Sequence, residues 1–297
     1  MNEIACSADA SRLADNHGTK TRRTWSRRAA WGLLFRRTKP LDDATFRRSA
    51  MIFSPHYDDE TLGCGGTIIR RRDAGAAVTI VFMTDGSQSH KYWMPTAELS
   101  KRRSSEGREA AAALGVGPDD VIEMHFPETA LAQQCEHAVQ AVATFLKERR
   151  PDDVFVPYYR EPPADHRATT NIVLAALKET DASPTVYEYP IWAWHRWPWV
   201  NCRGPFRRGL RVWYRDCIKY NRLFLNDMHV RADIGPLISR KQAALARHRT
   251  QTIRMNDDPT WPILSDVADG GFLPCFFENV EFFGRRTSRQ NGRGAST

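Results

Sequence analysis

The fold of this chain is decided by the stretch Ala50-Met51-Ile52-Phe53-Ser54-Pro55-His56-Tyr57-Asp58-Asp59-Glu60. Its apolar first half predicts a short buried strand over 50–54. Residues 61–73, which carry Leu62, Ile68 and Ile69, predict a helix behind that strand. An imidazole and three consecutive carboxylates therefore gather where a buried strand is expected to end.

The alternation of strands and helices continues along the chain. Further strands are predicted over 77–83, 121–126, 153–157, 185–191 and 280–283. Further helices are predicted over 99–114, 130–149, 168–177 and 239–248. Elements in this order form right-handed βαβ units, so we predict an α/β protein with a mostly parallel sheet. Ligands of such sheets bind beyond the carboxyl ends of the strands.

A second polar cluster, Ala164-Asp165-His166-Arg167, also follows an apolar run. His56 and Asp59 can reach one point if the chain turns sharply after the strand, and Pro55 favours such a turn. With His166 as the third ligand they would hold one divalent metal ion and leave a coordination position open for water. An open position is typical of catalytic metal sites rather than structural ones.

Two neighbouring carboxylates have candidate roles beside these ligands. Asp58 is adjacent to Asp59 and is the candidate general base for the water. Asp165 is the candidate partner that orients an imidazole and raises its basicity. Taken singly, a His-Asp pair is more often a surface ion pair or a helix cap. Two such clusters at strand ends of one sheet favour a site.

The positive charge of the chain lies at its termini. The net charge is +8, and residues 1–50 carry eleven Lys and Arg against five acids, while the segment from Arg285 onward carries four Arg and no acid. The remaining body is close to neutral, so nucleic acid is not expected as a partner. An anionic membrane surface is a candidate partner of the N-terminal arm, because Trp31 and Phe35 stand among its arginines. The alternative is an arm that packs on the body.

The cysteines and the apolar runs bear on localisation. Six cysteines occur without any CxxC pair, which favours neither a disulfide scaffold nor a structural zinc site. No run approaches the roughly 18 apolar residues that a membrane span needs. The apolar segment near the N-terminus is short and ends at Arg36, which argues against an export signal. We therefore expect a cytoplasmic protein, with its arm at the inner face of the membrane if the arm binds lipid.

The chain is predicted to divide into a basic extension (1–47), one catalytic domain (48–284) and a disordered basic tail (285–297). Within the domain, residues 192–235 interrupt the strand and helix pattern and are rich in Trp and Arg. We interpret them as an insertion or lid that sets substrate specificity. Their aromatic rings would either stack on sugars or form a small additional core.

Several motifs resemble one family. Pro55-His56-Tyr57-Asp58-Asp59-Glu60 and Leu62-Gly63-Cys64-Gly65-Gly66 resemble the signature of the PIG-L/LmbE-like N-acetylglucosaminyl deacetylases. Weaker similarity lies in Thr84-Asp85-Gly86-Ser87, Arg103-Ser104-Ser105-Glu106 and Asp165-His166-Arg167-Ala168-Thr169. The resemblance runs from about residue 51 to residue 189, and more loosely through 241–251.

This resemblance implies a Rossmann-like, three-layer fold and a zinc-dependent hydrolase that removes an N-acetyl group from an amino sugar or a conjugate containing N-acetylglucosamine. It implies His56, Asp59 and His166 as ligands of one Zn²⁺, with Fe²⁺ or another divalent ion as the alternative. It implies Asp58 as the base. Glu60 and Arg103, which lie within matching motifs, are further candidates for positioning or binding substrate.

The chain departs from the family at one functional position. The family often carries a histidine where this chain has Pro163, and that histidine is thought to stabilise the oxyanion or to protonate the leaving amine. Either the metal ion alone would polarise the carbonyl, or Arg160 or His195 would substitute for that histidine. Tyr57, in place of the family's usual proline, is a milder change.

Two other functions compete with the hydrolase. His56, Asp58 and His166 also match the HxD…H triad of non-haem iron oxygenases, although those enzymes usually carry it on an antiparallel β fold. A non-catalytic protein recruited by its basic termini is the second alternative. Nothing non-catalytic requires a ligand set together with a base.

Overall fold

The computed structural model describes residues 25–200 and 218–286. Its centre is one eight-stranded sheet with the strand order β1-β7-β8-β6-β5-β2-β3-β4. The strands are β1 (Lys39–Pro40), β2 (Ala50–Ser54), β3 (Val78–Thr84), β4 (Val121–Phe126), β5 (Asp153–Pro157), β6 (Thr185–Tyr189), β7 (Met228–Asp233) and β8 (Val280–Arg286). β2 to β6 pair in parallel, and β8 is antiparallel to both β6 and β7.

Helices cover both faces of this sheet. The described α-helices are α1 (Trp25–Arg37), α2 (Asp43–Phe46), α3 (Asp59–Asp73), α4 (Thr96–Ala113), α5 (Cys135–Arg149), α6 (Ala164–Lys178), α7 (Tyr220–Asp227), α8 (Ile238–Leu245) and α9 (Arg249–Thr252). None of these helices has both the length and the apolar character needed to cross a bilayer. The predicted α/β fold with a mostly parallel sheet is confirmed, and the helices on both faces give it three layers.

The central strands are buried on both faces, which explains their unbroken apolar sequences. Every residue of β2, β3 and β5 is buried. Successive side chains of a strand point to opposite faces, so Ile52 joins one core cluster while Met51 and Phe53 join the other. Ile68 of α3 packs in the first cluster and Ile172 of α6 in the second. The predicted strand 50–54 is confirmed residue for residue.

The glycines of helix α3 permit close packing against the rest of the fold. A Cβ at Gly63 would overlap the ring of Tyr189, and a Cβ at Gly66 would overlap Ile234. A helix normally disfavours glycine by about 1 kcal/mol relative to alanine, so these positions are selected for space. The helix that begins with Asp59 is thereby held directly against β6.

A buried ion pair fixes the same helix. The Lys241 ammonium donates to a carboxylate oxygen of Glu281 at 2.8 Å and to the carbonyl oxygen of Leu62 at 2.8 Å. Glu281 in turn accepts hydrogen bonds from the backbone N–H groups of Gly66 and Thr67, each at 2.8 Å. This cluster, which we call the Lys241–Glu281 clamp, joins α3, α8 and β8.

Residues 25–47 require a correction to the predicted domain boundary. Trp31 and Leu34 of α1 are buried in the first core cluster, and β1 pairs with β7. The ring of Trp31 lies 5.4 Å from that of Trp194. Apolar contacts on one side of α1 therefore attach this part of the predicted extension to the domain, while residues 1–24 lie outside the described residues.

The boundary of the predicted tail and the predicted insertion also need revision. Arg285 and Arg286 belong to β8, because their backbones pair with β6; residues 287–297 are not described. In the predicted insertion, Trp194 and Trp199 are 3% and 1% exposed and pack on Phe224. These tryptophans form core, as the second interpretation predicted. Residues 201–217, including Trp213, lie outside the described part.

Candidate metal centre

Three side chains that could bind a metal meet at the carboxyl edge of the sheet. His56 follows β2, Asp59 is the first residue of α3, and His166 lies in the first turn of α6. β2 and β5 are parallel neighbours, so the segments that follow them start side by side. One ligand atom from each of the three residues lies within 4.8 Å of the other two.

One carboxylate oxygen lies between the two imidazoles. Asp59 Oδ2 is 3.2 Å from His56 Nδ1 and 3.2 Å from His166 Nε2. It also accepts a hydrogen bond from the His56 backbone N–H at 3.1 Å. Burial alone would raise the pKa of Asp59, but the charges of the neighbouring His166 and His56 hold that pKa far below its usual range.

The surroundings of His166 fit a metal ion. His166 is fully buried, and neither of its ring nitrogens makes a hydrogen bond of good geometry within the described residues, although Nε2 lies 3.2 Å from Asp59 Oδ2. Buried polar atoms in folded proteins almost always have a partner, so these nitrogens call for an additional group. Two imidazoles and one carboxylate are a donor set suited to Zn²⁺ with one position left open. The His56 side chain is 19% exposed whereas Asp59 and His166 are closed off, so access is from the His56 side.

Asp58 is not one of the three clustered residues and has an unusual backbone. Its φ of +132° lies in a region that residues with side chains rarely adopt. Its Oδ2 accepts a hydrogen bond from Gln251 Nε2 at 2.5 Å. Burial, together with the neighbouring charges of Asp59 and Glu60, raises the pKa of Asp58. Strain of this kind clusters at functional sites.

Glu60 supports the turn instead of pointing at the three ligands. Its carboxylate accepts hydrogen bonds from the Asp58 backbone N–H at 3.0 Å and from Ser54 Oγ at 3.3 Å. Its other oxygen lies 2.9 Å from His248 Nε2. Glu60 therefore holds the strained backbone of Asp58 in place through the hydrogen bond from that backbone N–H.

Asp165 contacts the other histidine, not its sequence neighbour. Asp165 Oδ2 accepts a hydrogen bond from the Thr129 backbone N–H at 2.7 Å and lies 3.4 Å from His56 Nε2. Glu128, which sequence reasoning missed, adds a second carboxylate at 3.9 Å from the same nitrogen. Both acids hold the exposed imidazole in place.

Glu161 is a second functional candidate that sequence reasoning missed. Its Oε2 lies 3.8 Å from His166 Nδ1, on the side of the ring away from Asp59. The carboxylate accepts three backbone hydrogen bonds, at 2.6–3.1 Å, from the N–H groups of Ile191, Trp192 and Ala193. Burial raises the pKa of Glu161 to about 7, although these bonds and His166 oppose the rise. The available signal was an acid between a strand end and the Asp165-His166 pair.

The remaining predicted site residues do not join this cluster. Arg103 is buried and donates to the Gly86 carbonyl oxygen at 3.1 Å and to Ser89 Oγ at 2.7 Å. Arg160 donates to the Tyr159 hydroxyl at 2.6 Å. The ring of His195 packs edge-on against Trp192 and Phe272. Within the described residues, neither Arg160 nor His195 contacts a candidate ligand.

Comparison with known protein families gives one match. Residues 51–177 match the family model described as PIG-L: GlcNAc-PI de-N-acetylase. A curated relative, the diacetylchitobiose deacetylase of Thermococcus kodakarensis, is 30% identical over 139 residues, which are 45% of this chain and 49% of that protein. The chain spans about half the length of the curated relatives it matches.

Solved structures share the fold at low identity. The N,N'-diacetylchitobiose deacetylase of Pyrococcus horikoshii has a TM-score of 0.57 and 21% identity, over 82% of this chain and 85% of that chain. The 4-carboxy-2-hydroxymuconate hydratase GalB of Pseudomonas putida has a TM-score of 0.51 and 16% identity, over 84% and 99%. These similarities establish the fold and leave the reaction to be argued from the site.

Proposed function

We propose, because residues 51–177 match the PIG-L family model, that this chain is a metal-dependent hydrolase that removes an N-acetyl group from an amino sugar or from a conjugate containing N-acetylglucosamine. The observation that carries the proposal is a cluster of three potential metal ligands with a further carboxylate directly beside it. His56, Asp59 and His166 bring three potential ligand atoms within 4.8 Å of one another, and the adjacent Asp58 carboxylate is bound by Gln251 instead. The relative from Thermococcus kodakarensis, a diacetylchitobiose deacetylase, supports this substrate class.

The proposed ligands are His56, Asp59 and His166, and Zn²⁺ is the ion that their chemistry favours. A bound divalent ion would polarise the acetyl carbonyl and lower the pKa of water toward neutrality. Glu161 and Asp165 would hold the two imidazoles in the orientation that binding requires, since orienting carboxylates raise ligand basicity. Fe²⁺ is the alternative to be decided by metal analysis.

Asp58 is the proposed general base. It directly precedes the proposed ligand Asp59, so its carboxylate belongs to the same turn as the metal site, and a general base must lie within reach of the proton it accepts. Gln251 holds one carboxylate oxygen, which orients the other. After accepting the proton of the attacking water, Asp58 is the group placed to hand it to the leaving amine. This second role replaces the histidine missing at Pro163.

Acetate release and metal content, measured on the same preparation, test the proposal. Wild type and the Asp58→Asn variant are compared on N-acetylglucosamine and N,N'-diacetylchitobiose. We expect wild type to hold about one ion per chain and the variant to retain it while losing at least ~100-fold in kcat. Asp119→Asn is the matched control, because Asp119 is exposed on the turn before β4, at the opposite edge of the sheet.

The outcomes separate the parts of the proposal. Bound metal without acetate from either sugar would contradict the substrate class. A chain that binds no metal would contradict the reaction type. An Asp58→Asn variant with wild-type activity would show that another group is the base and would reopen the non-catalytic alternative.

The oxygenase alternative is disfavoured by the carboxylate that approaches the imidazoles. That function needs Asp58 as the third ligand, yet it is Asp59 whose oxygen lies 3.2 Å from both His56 and His166. The surrounding sheet is also mostly parallel rather than a β jelly roll. Consumption of oxygen and 2-oxoglutarate by the iron-loaded protein would revive this alternative.

We also propose that the outer face of α1 contacts an anionic membrane surface. The helix has no acid in its first turn and ends in Arg36 and Arg37, while Leu33 and Phe35 are each 44% exposed. Basic and apolar side chains together favour the lipid interface. Deleting α1 would damage the core, so the test is a double variant, Leu33→Asp with Phe35→Asp. We expect it to lose co-sedimentation with phosphatidylserine vesicles; unchanged binding would refute the contact.

A reducing compartment such as the cytoplasm is the proposed location. Cys64 and Cys135 are free thiols. Thiol titration of freshly extracted, denatured protein should find the cysteines reduced. Oxidised cysteines would instead place the chain in an oxidising compartment.

A further inference from the structure

Two adjacent aromatic side chains lie in solvent on the segment that follows β3. Tyr92 is 84% exposed and Trp93 is 37% exposed. Their ring centroids are 6.4 Å apart and the ring planes are inclined by 75°. Contiguous apolar surface of this kind on a protein marks an interaction site more often than isolated side chains do.

The segment beneath these rings is fixed in place. Trp93 Nε1 donates to Thr260 Oγ1 at 3.0 Å. The ring of His90 stacks on the buried ring of Trp261 at 4.7 Å, and His90 Nε2 lies 2.8 Å from the Pro262 carbonyl oxygen. A surface that is ordered before the ligand arrives loses little entropy on binding.

Contacts on one side connect this segment to the metal ligand His56. The backbone N–H of Gln88 donates to the Glu128 carboxylate at 2.5 Å. Another oxygen of Glu128 lies 3.9 Å from His56 Nε2. The segment therefore starts beside the accessible side of the candidate metal centre.

Contacts on the other side connect it to the proposed base. Gln251 holds Asp58, and the carbonyl oxygen of the preceding Thr250 accepts a hydrogen bond from Trp261 Nε1 at 2.9 Å. The ring of Trp261 lies 6.5 Å from the ring of Trp93. Contacts from the ligand His56 thus reach the start of this segment at Gln88, and contacts from the base Asp58 reach the ring of Trp93.

We propose that Tyr92 and Trp93 form a stacking platform for the sugar unit next to the one that carries the acetyl group. This inference rests on the proposed function and makes the substrate an N-acetylated saccharide of two or more units. Sugar rings present polarised C–H bonds on one face, which the electron-rich face of an aromatic ring attracts. Lys91, whose ammonium lies 5.5 Å from the centre of the Tyr92 ring on one face, adds a donor for sugar hydroxyl groups beside the platform and leaves the other ring face for the sugar. The buried Trp194 and Trp199 cannot offer such faces.

The test compares two substrates and three variants. Acetate release from N,N'-diacetylchitobiose and from N-acetylglucosamine is measured for wild type, Tyr92→Ala, Trp93→Ala and Tyr92→Phe. For each alanine variant we expect the ratio of kcat/KM, disaccharide over monosaccharide, to fall about tenfold, the equivalent of roughly 1.4 kcal/mol. The loss of kcat/KM should appear as a higher KM with an unchanged kcat, because the platform binds substrate without touching the reacting atoms. Tyr92→Phe retains the ring and should retain the ratio.

If both alanine variants keep the wild-type ratio of kcat/KM, disaccharide over monosaccharide, the platform proposal is refuted even though the enzyme is active. Trp93 also bonds Thr260, so Tyr92→Ala, which removes a side chain that is 84% exposed, decides the outcome if Trp93→Ala folds poorly. If wild type releases no acetate, the proposed function fails and binding tests the platform by itself. Saturation transfer from protein to the C–H protons of diacetylchitobiose, lost in Tyr92→Ala, would then support the platform; no transfer in wild type would refute it.

Discussion

At the scale of single residues, two neighbouring carboxylates have different surroundings because their backbone conformations differ. Asp58 and Asp59 are adjacent, yet one has φ +132° and faces Gln251 while the other lies between two imidazoles. The sequence predicted both residues, because a polar run after a buried strand is conspicuous. It could not predict Glu161, whose partners are backbone N–H groups about thirty residues further along the chain.

Glu161 gives the prediction that belongs to this scale. We expect Glu161→Gln, which keeps the size and removes the charge, to weaken metal binding by about 10- to 100-fold, as is usual for an orienting partner of a ligand histidine. Competition with a chromophoric chelator measures the affinity. Glu98→Gln is the control, since Glu98 is an exposed partner of Arg102. Equal affinity in Glu161→Gln and wild type would mean that Glu161 only anchors the turn at 191–193.

At the scale of elements, apolar runs predicted the central strands well, whereas the starts of the two helices that carry Asp59 and His166 were placed too late. Helix α6 begins at Ala164 rather than at residue 168, and α3 at Asp59 rather than at 61. In both, acidic residues occupy the first turn, where the helix dipole favours negative charge. In the sequence, these polar first turns look like loops, which is why the helices were predicted to start later. The short strand β1 has no apolar signal at all, since it forms only by pairing with β7.

The Lys241–Glu281 clamp gives the prediction at this scale. We expect Lys241→Met to destabilise the fold by about 3–5 kcal/mol, because it leaves the Glu281 carboxylate buried without its partner. Urea unfolding followed by circular dichroism measures the loss. The double variant Lys241→Met with Glu281→Gln should recover part of it by removing the isolated charge. Lys101→Met, at an exposed position, should change stability by less than about 0.5 kcal/mol.

At the scale of the whole molecule, the sheet assembles the candidate site. His56 and His166 are distant in sequence, and the parallel pairing of β2 with β5 brings them to one edge. That much follows from the sequence pattern, because carboxyl ends of parallel strands share an edge. The shared fold with a hydratase shows that this architecture hosts more than one reaction, so the donor atoms, not the sheet, must decide the chemistry.

Removing the metal from the intact chain tests whether the proposed donor atoms bind an ion. An ion that binds only the folded state stabilises it by about 2.7 kcal/mol at a free concentration 100 times its Kd. We therefore expect a chelator to lower the urea midpoint of wild type, and added Zn²⁺ to restore it. His166→Leu should unfold at one midpoint with or without the ion, because its replacement fills the buried space without offering a nitrogen. A wild-type midpoint that ignores both chelator and zinc would mean that the buried nitrogens of His166 do not bind a metal, and the proposed hydrolysis would lose its electrophile.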